Sequence, residues 1–303
     1  MISIALLAGG TSSERQVSLR SGAAVQQALS AAGYNVVLLD TDCTDQQLLQ
    51  NNVVFSVLHG AGGEDGQFQT RLKKLGLPFV GSDAASSQLT FDKHAYRQKL
   101  LAAGLPIAKG ARVDWQTYPW HPLAQKPHVV KPSDGGSSID TFIIRKTAQS
   151  DLLAIEQSFK THKHMLLEQL IEGIEITVGI LGDQPLPVIE IIPPASGEFD
   201  YTNKYNGATQ ELCPPLHVNP QLQEKAQELA LQAHQLTGCR DLSRTDMIVQ
   251  KDGRIIILET NTLPGMTATS LFPKMAQAAG YDMPTLTDCL VKMALSRAET
   301  AAA

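Results

Sequence analysis

Cysteine is scarce and unpatterned in this chain. Cys43, Cys213, Cys239 and Cys289 form no C-x-x-C pair and no zinc-site spacing. That excludes a cysteine-built metal knuckle and predicts reduced thiols in a cytoplasmic protein. Positive charge is not in excess: the net charge is −5, so no overall field draws in nucleic acid, although a local basic site for a small anion is compatible with it. No apolar run approaches the roughly 18 residues of a membrane span, so no membrane partner is expected. Met1–Ala8 is apolar but has no basic flank and is too short for a signal peptide's hydrophobic region; it predicts a first buried strand. There is no internal repeat, and the only low-complexity stretch is Ala301–Ala303. Gly9-Gly10 opens no G-x-G-x-x-G, which argues against a dinucleotide-binding dehydrogenase.

What is present is ordinary globular material. Of 303 residues, 43% are hydrophobic and 18% charged, enough for two or three domains with apolar cores. Ser3–Leu7 reads as a strand that runs into the loop Gly9–Arg15. A helix follows to about Ala32, with Val25, Ala28, Leu29 and Ala32 on one stripe and Gly33 at its end. Asn35–Leu39 and Val53–Leu58 are further strands, a βαβ pattern that predicts a parallel sheet. Ligands of such sheets lie at the carboxyl ends of strands, which here carry Gly9–Arg15 and the glycine-rich His59–Gly66. A helix is predicted over Asp92–Ala103. Short strands at Val129–Lys131, Thr141–Ile144, Met165–Gln169 and Ile174–Leu181 around a helix at Ser150–Phe159 make a compact α+β unit. A helix over Pro220–Thr237 precedes apolar strands at Thr245–Gln250 and Ile255–Glu259, and a last helix spans about Thr285 to Arg297. Boundaries near residues 88 and 180 divide the chain into segments 1–88, 89–180 and 181–303.

The most informative segment is 244–261. Asp252-Gly253 is a favoured two-residue hairpin loop. With that loop, Lys251 faces Arg254, Asp246 faces Glu259 and Arg244 faces Asn261, and the last four residues share one face. Two directly opposed carboxylates repel unless a cation lies between them. The oxygen donors of Asp246, Glu259 and Asn261 suit Mg²⁺, and Arg244 is placed to meet developing negative charge. The bland alternative is a solvated, salt-bridged strand face. The apolar run Ile255–Leu258 favours a covered strand.

Lys131–Ser138 (KPSDGGSS) follows a strand. Its paired glycines, its serines and the Lys131 charge suit a phosphate, although most Gly/Ser loops are plain turns. Lys93 is a second candidate cation. Leu170-Ile171, between Glu168 and Glu175, could line an adenine pocket or simply a buried turn. His59 ends a strand and Glu14 lies in the first loop, where they could reach a ligand or serve as cap and surface ion pair. Gly265 could offer an N–H to an oxyanion. Ser270 and Leu271, at a helix start, could hold a carboxylate.

Taken in order, LLAGGTSSERQVSL, LHGAGGEDG, VVKPSDGGSS, EITVGIL, DYTNKY, SRTDMIV and LETNTLPGMT resemble the D-alanine–D-alanine ligase family from about Ala8 to Gly280. The resemblance implies an α/β parallel-sheet N-terminal domain followed by a two-lobed α+β ATP-grasp fold. It implies ATP as co-substrate, two Mg²⁺ ions for which Mn²⁺ would substitute, D-alanine as substrate and a homodimer. It also implies site roles. Glu14 and His59 would orient the first D-alanine. Lys93, Lys131 and Ser138 would bind ATP phosphates, with Lys204 also at the nucleotide. Glu168, Leu170, Ile171 and Glu175 would contact adenine and ribose. Arg244 and the Gly265 N–H would stabilise the oxyanion, and Asp246, Glu259 and Asn261 would hold the metals. Ser270 and Leu271 would hold the second carboxylate, and Ser137 and Tyr205 would link to Glu14. The segment Glu198–Thr209 would close over the site. Relatives that make D-alanyl-D-lactate carry Phe where Tyr205 stands. Two departures are visible: members read GSSxG after the phosphate loop, whereas Asp140 follows Ile139 here, and Thr260 and Gly173 lie in less typical contexts. A ligase of the same fold with another acid or amine, and a nucleotide-binding regulatory protein, are the competing readings.

Overall fold

The computed structural model describes residues 1–135, 140–147, 151–194 and 209–302. Ser137, Ser138, Lys204 and Tyr205 lie outside the described residues, as does nearly all of Glu198–Thr209.

Three sheets organise the chain. In the first, β1 (Ser3–Leu7) pairs in parallel with β2 (Asn35–Leu39) and β3 (Val53–Ser56), giving the order β2-β1-β3. The crossover is the Arg15–Ala31 helix, whose Val25, Ala28 and Leu29 are buried. The expected βαβ unit therefore forms, and the turn after β1 meets the turn after β3 at the ends of parallel strands.

The second sheet has the order β4-β7-β5-β6 and is antiparallel: β4 (Gly110–Val113), β5 (His128–Pro132), β6 (Phe142–Ile144) and β7 (Met165–Gln169). One face packs on the Leu152–Thr161 helix through Ile155 and Phe159. Its apolar cluster includes Val113, Tyr118, Val130 and Leu167 and stays separate from the other cores.

The third sheet runs β11-β10-β8-β12-β13 with β9 on β8: β8 (Ile174–Leu181), β9 (Gln184–Pro185), β10 (Ile189–Ile192), β11 (Gln210–Leu212), β12 (Leu242–Val249) and β13 (Ile255–Asn261). The Pro220–Thr237 helix covers one face, buried along Ala226, Leu229, Ala230 and Ala233, capped by Asn219 and ended by left-handed Gly238. A division at residue 180 would cut β8, whose partners β9, β10 and β12 all belong to this third sheet.

The single helix expected over Asp92–Ala103 proves to be the second of two, Ala84–Phe91 and Lys93–Ala102, broken at Asp92. The Asp92 carboxylate accepts from the N–H groups of His94 and Ala95 at 2.9 and 3.0 Å, so it caps the second helix. Asp92 also bridges Asp134, and the Lys93 N–H donates to Ser133 O at 2.7 Å. This break delivers Lys93 to the glycine loop after β5.

Candidate active site

The β12–β13 hairpin brings together the residues expected to share a face, by an unexpected route. The turn is Lys251-Asp252-Gly253, with Gly253 at φ +79. The Gln250 N–H donates to Arg254 O at 2.8 Å, so Gln250, not Lys251, faces Arg254. Val249 then pairs with Ile255 and Met247 with Ile257, one residue out of the expected register. A β-bulge leaves Leu258 unpaired, and beyond it Asp246 pairs with Glu259 and Arg244 with Asn261 as expected. The two displacements cancel. They also decide which face each residue takes. Met247, Val249, Ile255 and Ile257 enter the core. Thr260 Oγ1 turns to the same side, bonded to Thr245 Oγ1 at 2.9 Å and to the Tyr96 hydroxyl at 2.7 Å. Asp246 and Glu259 line the opposite, open side.

That side is a cleft of about 860 Å³ between the second and third sheets. Lys131 enters it from β5 and makes an ion pair with Glu168 of β7, Nζ to Oε2 2.7 Å. The other Glu168 oxygen accepts from Arg97 at 2.5 Å, and Arg97 also donates to Ala108 O at 2.6 Å. Burial pulls the Lys131 pKa down, but the carboxylates of Glu168 and Glu259 outweigh it and hold it above the usual lysine value. Lys131 therefore stays a cation within the cleft. Glu168, expected to contact adenine and ribose, lines this cleft, where its two oxygens hold Lys131 and Arg97. Leu170 and Ile171, half-buried, and Glu175 line the same cleft. Lys93 Nζ lies 3.7 Å from Glu259 Oε2 and donates to the Gly135 carbonyl.

A smaller pocket of about 160 Å³ adjoins the cleft, lined by Glu14, His59, Glu64, Arg244, Gly265 and Ser270 among others. Glu14, Lys93 and Glu259 line both spaces. His59 is buried, and its Nε2 has no hydrogen-bond partner among the described residues. Burial first, then the Arg244 charge, push its pKa down to about 4, so the imidazole is neutral near pH 7. Arg244 grips Asp246 with two bonds, Nε to Oδ1 2.9 Å and Nη2 to Oδ2 2.8 Å. Asp246 Oδ1 also accepts from Thr177 Oγ1 at 2.6 Å, and Asn261 Oδ1 accepts from the Leu263 N–H at 2.8 Å. Ser270 caps the Leu271–Ala278 helix in position only: its Oγ bonds Thr267, at 3.1 Å to N and 2.8 Å to Oγ1. A Cβ on Gly265 would stand 2.8 Å from that Oγ, so only glycine lets the backbone approach here.

Sequence reasoning missed Glu64, Arg97 and Thr177. Glu64 lies inside the glycine-rich HGAGGEDG segment and accepts from the Gly60 N–H at 2.6 Å. Burial, then the neighbouring Glu14, raise its pKa to about 8. Arg97 was legible as the i+4 neighbour of Lys93 on one helix face. Thr177 had no signal of its own, since it depends on β8 lying beside β12. Among the described residues no three His, Cys, Asp or Glu side chains cluster as a ready metal cage. Among the described residues, no helix is long and apolar enough to cross a membrane.

A parallel-sheet domain followed by two α+β lobes that enclose a lysine-lined cleft defines an enzyme of the ATP-grasp class. The comparisons narrow this. A family model described as "D-ala D-ala ligase C-terminus" matches residues 114–292. The D-alanine–D-alanine ligase of Syntrophobacter fumaroxidans is 42% identical over 97% of this chain and 98% of its own. The crystal structure of the Bacillus anthracis D-alanine–D-alanine ligase complexed with ATP superposes with a TM-score of 0.85 at 29% identity, covering 99% of this chain and 100% of that one. The VanG D-Ala:D-Ser ligase of Enterococcus faecalis gives a TM-score of 0.81 at 26% identity, covering 96% of this chain and 99% of that one. The chain belongs to the D-alanine–D-alanine ligase family.

Proposed function

We propose that this chain joins two D-alanine molecules into D-alanyl-D-alanine at the cost of ATP, for cell-wall peptidoglycan synthesis. The observation that carries the reading is the shared wall: Glu14, Lys93 and Glu259 border both the large cleft and the small pocket. A nucleotide in one and an amino acid in the other would meet there. A carboxylate is a poor electrophile, so ATP first converts the carboxylate of one D-alanine to an acyl phosphate; the amine of the second then attacks its carbonyl and phosphate leaves.

Lys131, kept charged by Glu168, and Lys93 neutralise the phosphates. Glu168, Leu170, Ile171 and Glu175 border the space for adenine and ribose. The Glu14 carboxylate takes the ammonium of the first D-alanine, and the unpartnered Nε2 of His59 takes its carboxylate. The second carboxylate sits on the Leu271–Ala278 helix N-terminus, where the Ser270 side chain is turned away from the helix N–H groups. Two opposed carboxylates and an amide oxygen fit Mg²⁺, so Asp246, Glu259 and Asn261 would hold it. Bound there, Mg²⁺ supplies charge neutralisation for the transferred phosphoryl group. Arg244, paired with Asp246 in this structure, exchanges that carboxylate for the oxyanion, assisted by the Gly265 N–H. Ser137, Ser138, Lys204 and Tyr205 are assigned to the phosphates and to Glu14 from the family motifs. A cytoplasmic homodimer with domain breaks before the Ala84–Phe91 helix and before Ile174 completes the reading, and sedimentation velocity tests the dimer.

The test is phosphate release from ATP and Mg²⁺ with D-alanine, L-alanine and D-lactate, alone and in pairs. Release with D-alanine alone, matched mole for mole by dipeptide, supports it. Turnover only with another acid–amine pair would overturn the substrate assignment.

A further inference from the structure

The two sides of the phosphate loop are held by different means. On the N-terminal side, Lys93 binds the carbonyls of Ser133 and Gly135. On the C-terminal side, the described chain resumes at Asp140, whose φ of +53 lies in the left-handed region. Residues with a Cβ seldom adopt it, and glycine does so freely. Asp140 stands where the family pattern GSSxG has that glycine. Its side chain is engaged: His162 Nε2 and Asp140 Oδ2 are 2.8 Å apart. His162 is the C-cap residue of the Leu152–Thr161 helix and lines the cleft with Thr141 and Ile143, the residues that follow Asp140. Both side chains are partly shielded, at 24% and 40% exposure. The contact thus joins Asp140, just before β6, to the helix that backs the second sheet, at the edge of the cleft. A neutral or a cationic imidazole can donate from Nε2, so the contact does not depend on protonation.

We propose that Asp140 and His162 form a positioning pair for the nucleotide: the contact holds Asp140 in a conformation natural to glycine and so fixes the start of β6, where Thr141 and Ile143 wall the cleft. The inference rests on reading the cleft as the ATP site. Neither residue touches the reacting atoms, so their effect falls on ATP affinity and not on the chemical step or on D-alanine.

The experiment uses the full chain, with a non-hydrolysable ATP analogue plus Mg²⁺ titrated by calorimetry and steady-state kinetics in parallel. In His162→Ala the analogue Kd and the ATP KM rise about fivefold, while kcat and the D-alanine KM stay within about twofold, as expected for a partly exposed hydrogen-bonded contact. His162→Gln, which keeps a donor, restores affinity. Asp140→Gly binds like the wild type, and adding His162→Ala to it changes nothing further. An unchanged Kd in His162→Ala, or an equal loss with and without Asp140→Gly, overturns the pair. A wild type that binds the analogue without joining D-alanine overturns the ligase reading alone, and the Kd series still decides the pair. A wild type that binds no analogue overturns both.

Discussion

Replacing Glu64 by Gln should make the fold less sensitive to alkaline pH. Glu64 is buried, accepts the Gly60 N–H at 2.6 Å and lies beside Glu14. Its carboxyl pKa is raised from 4.5 to about 8, so it is protonated at pH 7. The folded value is above the unfolded one. The stability this group contributes is therefore fully present below about pH 4.5 and is lost as pH rises through about 8. The full displacement corresponds to an upper bound of about 5 kcal/mol, at roughly 1.36 kcal/mol per pH unit. Water entry and local relaxation reduce a buried-group penalty of this kind, so about 1–2 kcal/mol is the expected loss between pH 6 and pH 9. In a chain of this size that is a Tm change of roughly 2–5 °C. Glutamine keeps the acceptor for Gly60 and cannot ionise. Calorimetric Tm values at pH 4.5, 6, 7.5 and 9 should lie closest together for the two proteins at pH 4.5 and diverge steadily as pH rises to about 8, with Glu64→Gln increasingly the more stable. Parallel curves with a constant offset would refute a buried, neutral Glu64.

Other expectations follow from the same geometry. Asp246→Asn should raise the Mg²⁺ concentration for half-maximal turnover about tenfold or more, read from phosphate release against total Mg²⁺; an unchanged Mg²⁺ curve would remove Asp246 from the metal set. His59→Ala should raise the D-alanine KM about tenfold and leave the ATP KM alone, because one hydrogen bond to a charged group is lost. Glu168→Gln should destabilise by about 2–4 kcal/mol in denaturant melts, since the buried Lys131 and Arg97 would lose their anion, and should also weaken ATP.

Much of this was legible in residue order. The βαβ start, the glycine loops at strand ends and the pairing of Asp246 with Glu259 are local patterns of period and spacing. The pairing was right although the turn was not: a three-residue loop displaced the register by one, and the Leu258 bulge restored it. Alternation shows which face a strand residue prefers but not where a bulge resets the count. The helix that starts after Asp92 was legible, but the Ala84–Phe91 helix before it was missed, because eight residues with Ser86-Ser87 at their centre carry little helical periodicity. A nucleotide role for Glu168 came from the family motifs and not from its strand. Its engagement by Arg97 and Lys131 depends on a helix and two strands meeting in space. Glu64 was hidden for the same reason: its proton affinity comes from burial and from Glu14, fifty residues away in the chain.

The second sheet and the Leu152–Thr161 helix keep an apolar core of their own, centred on Tyr118, Ile155 and Phe159. A body with a private core is a cooperative unit that can melt by itself. Heating the free protein should then trace a broad or split endotherm, not one sharp peak. A molecule seated between the two lobes touches both and acts as a clasp, so saturation should fuse the split signal into a single, higher one. The architecture that leaves the catalytic space open for entry thus also makes the protein's heat resistance a property of the occupied state more than of the chain alone.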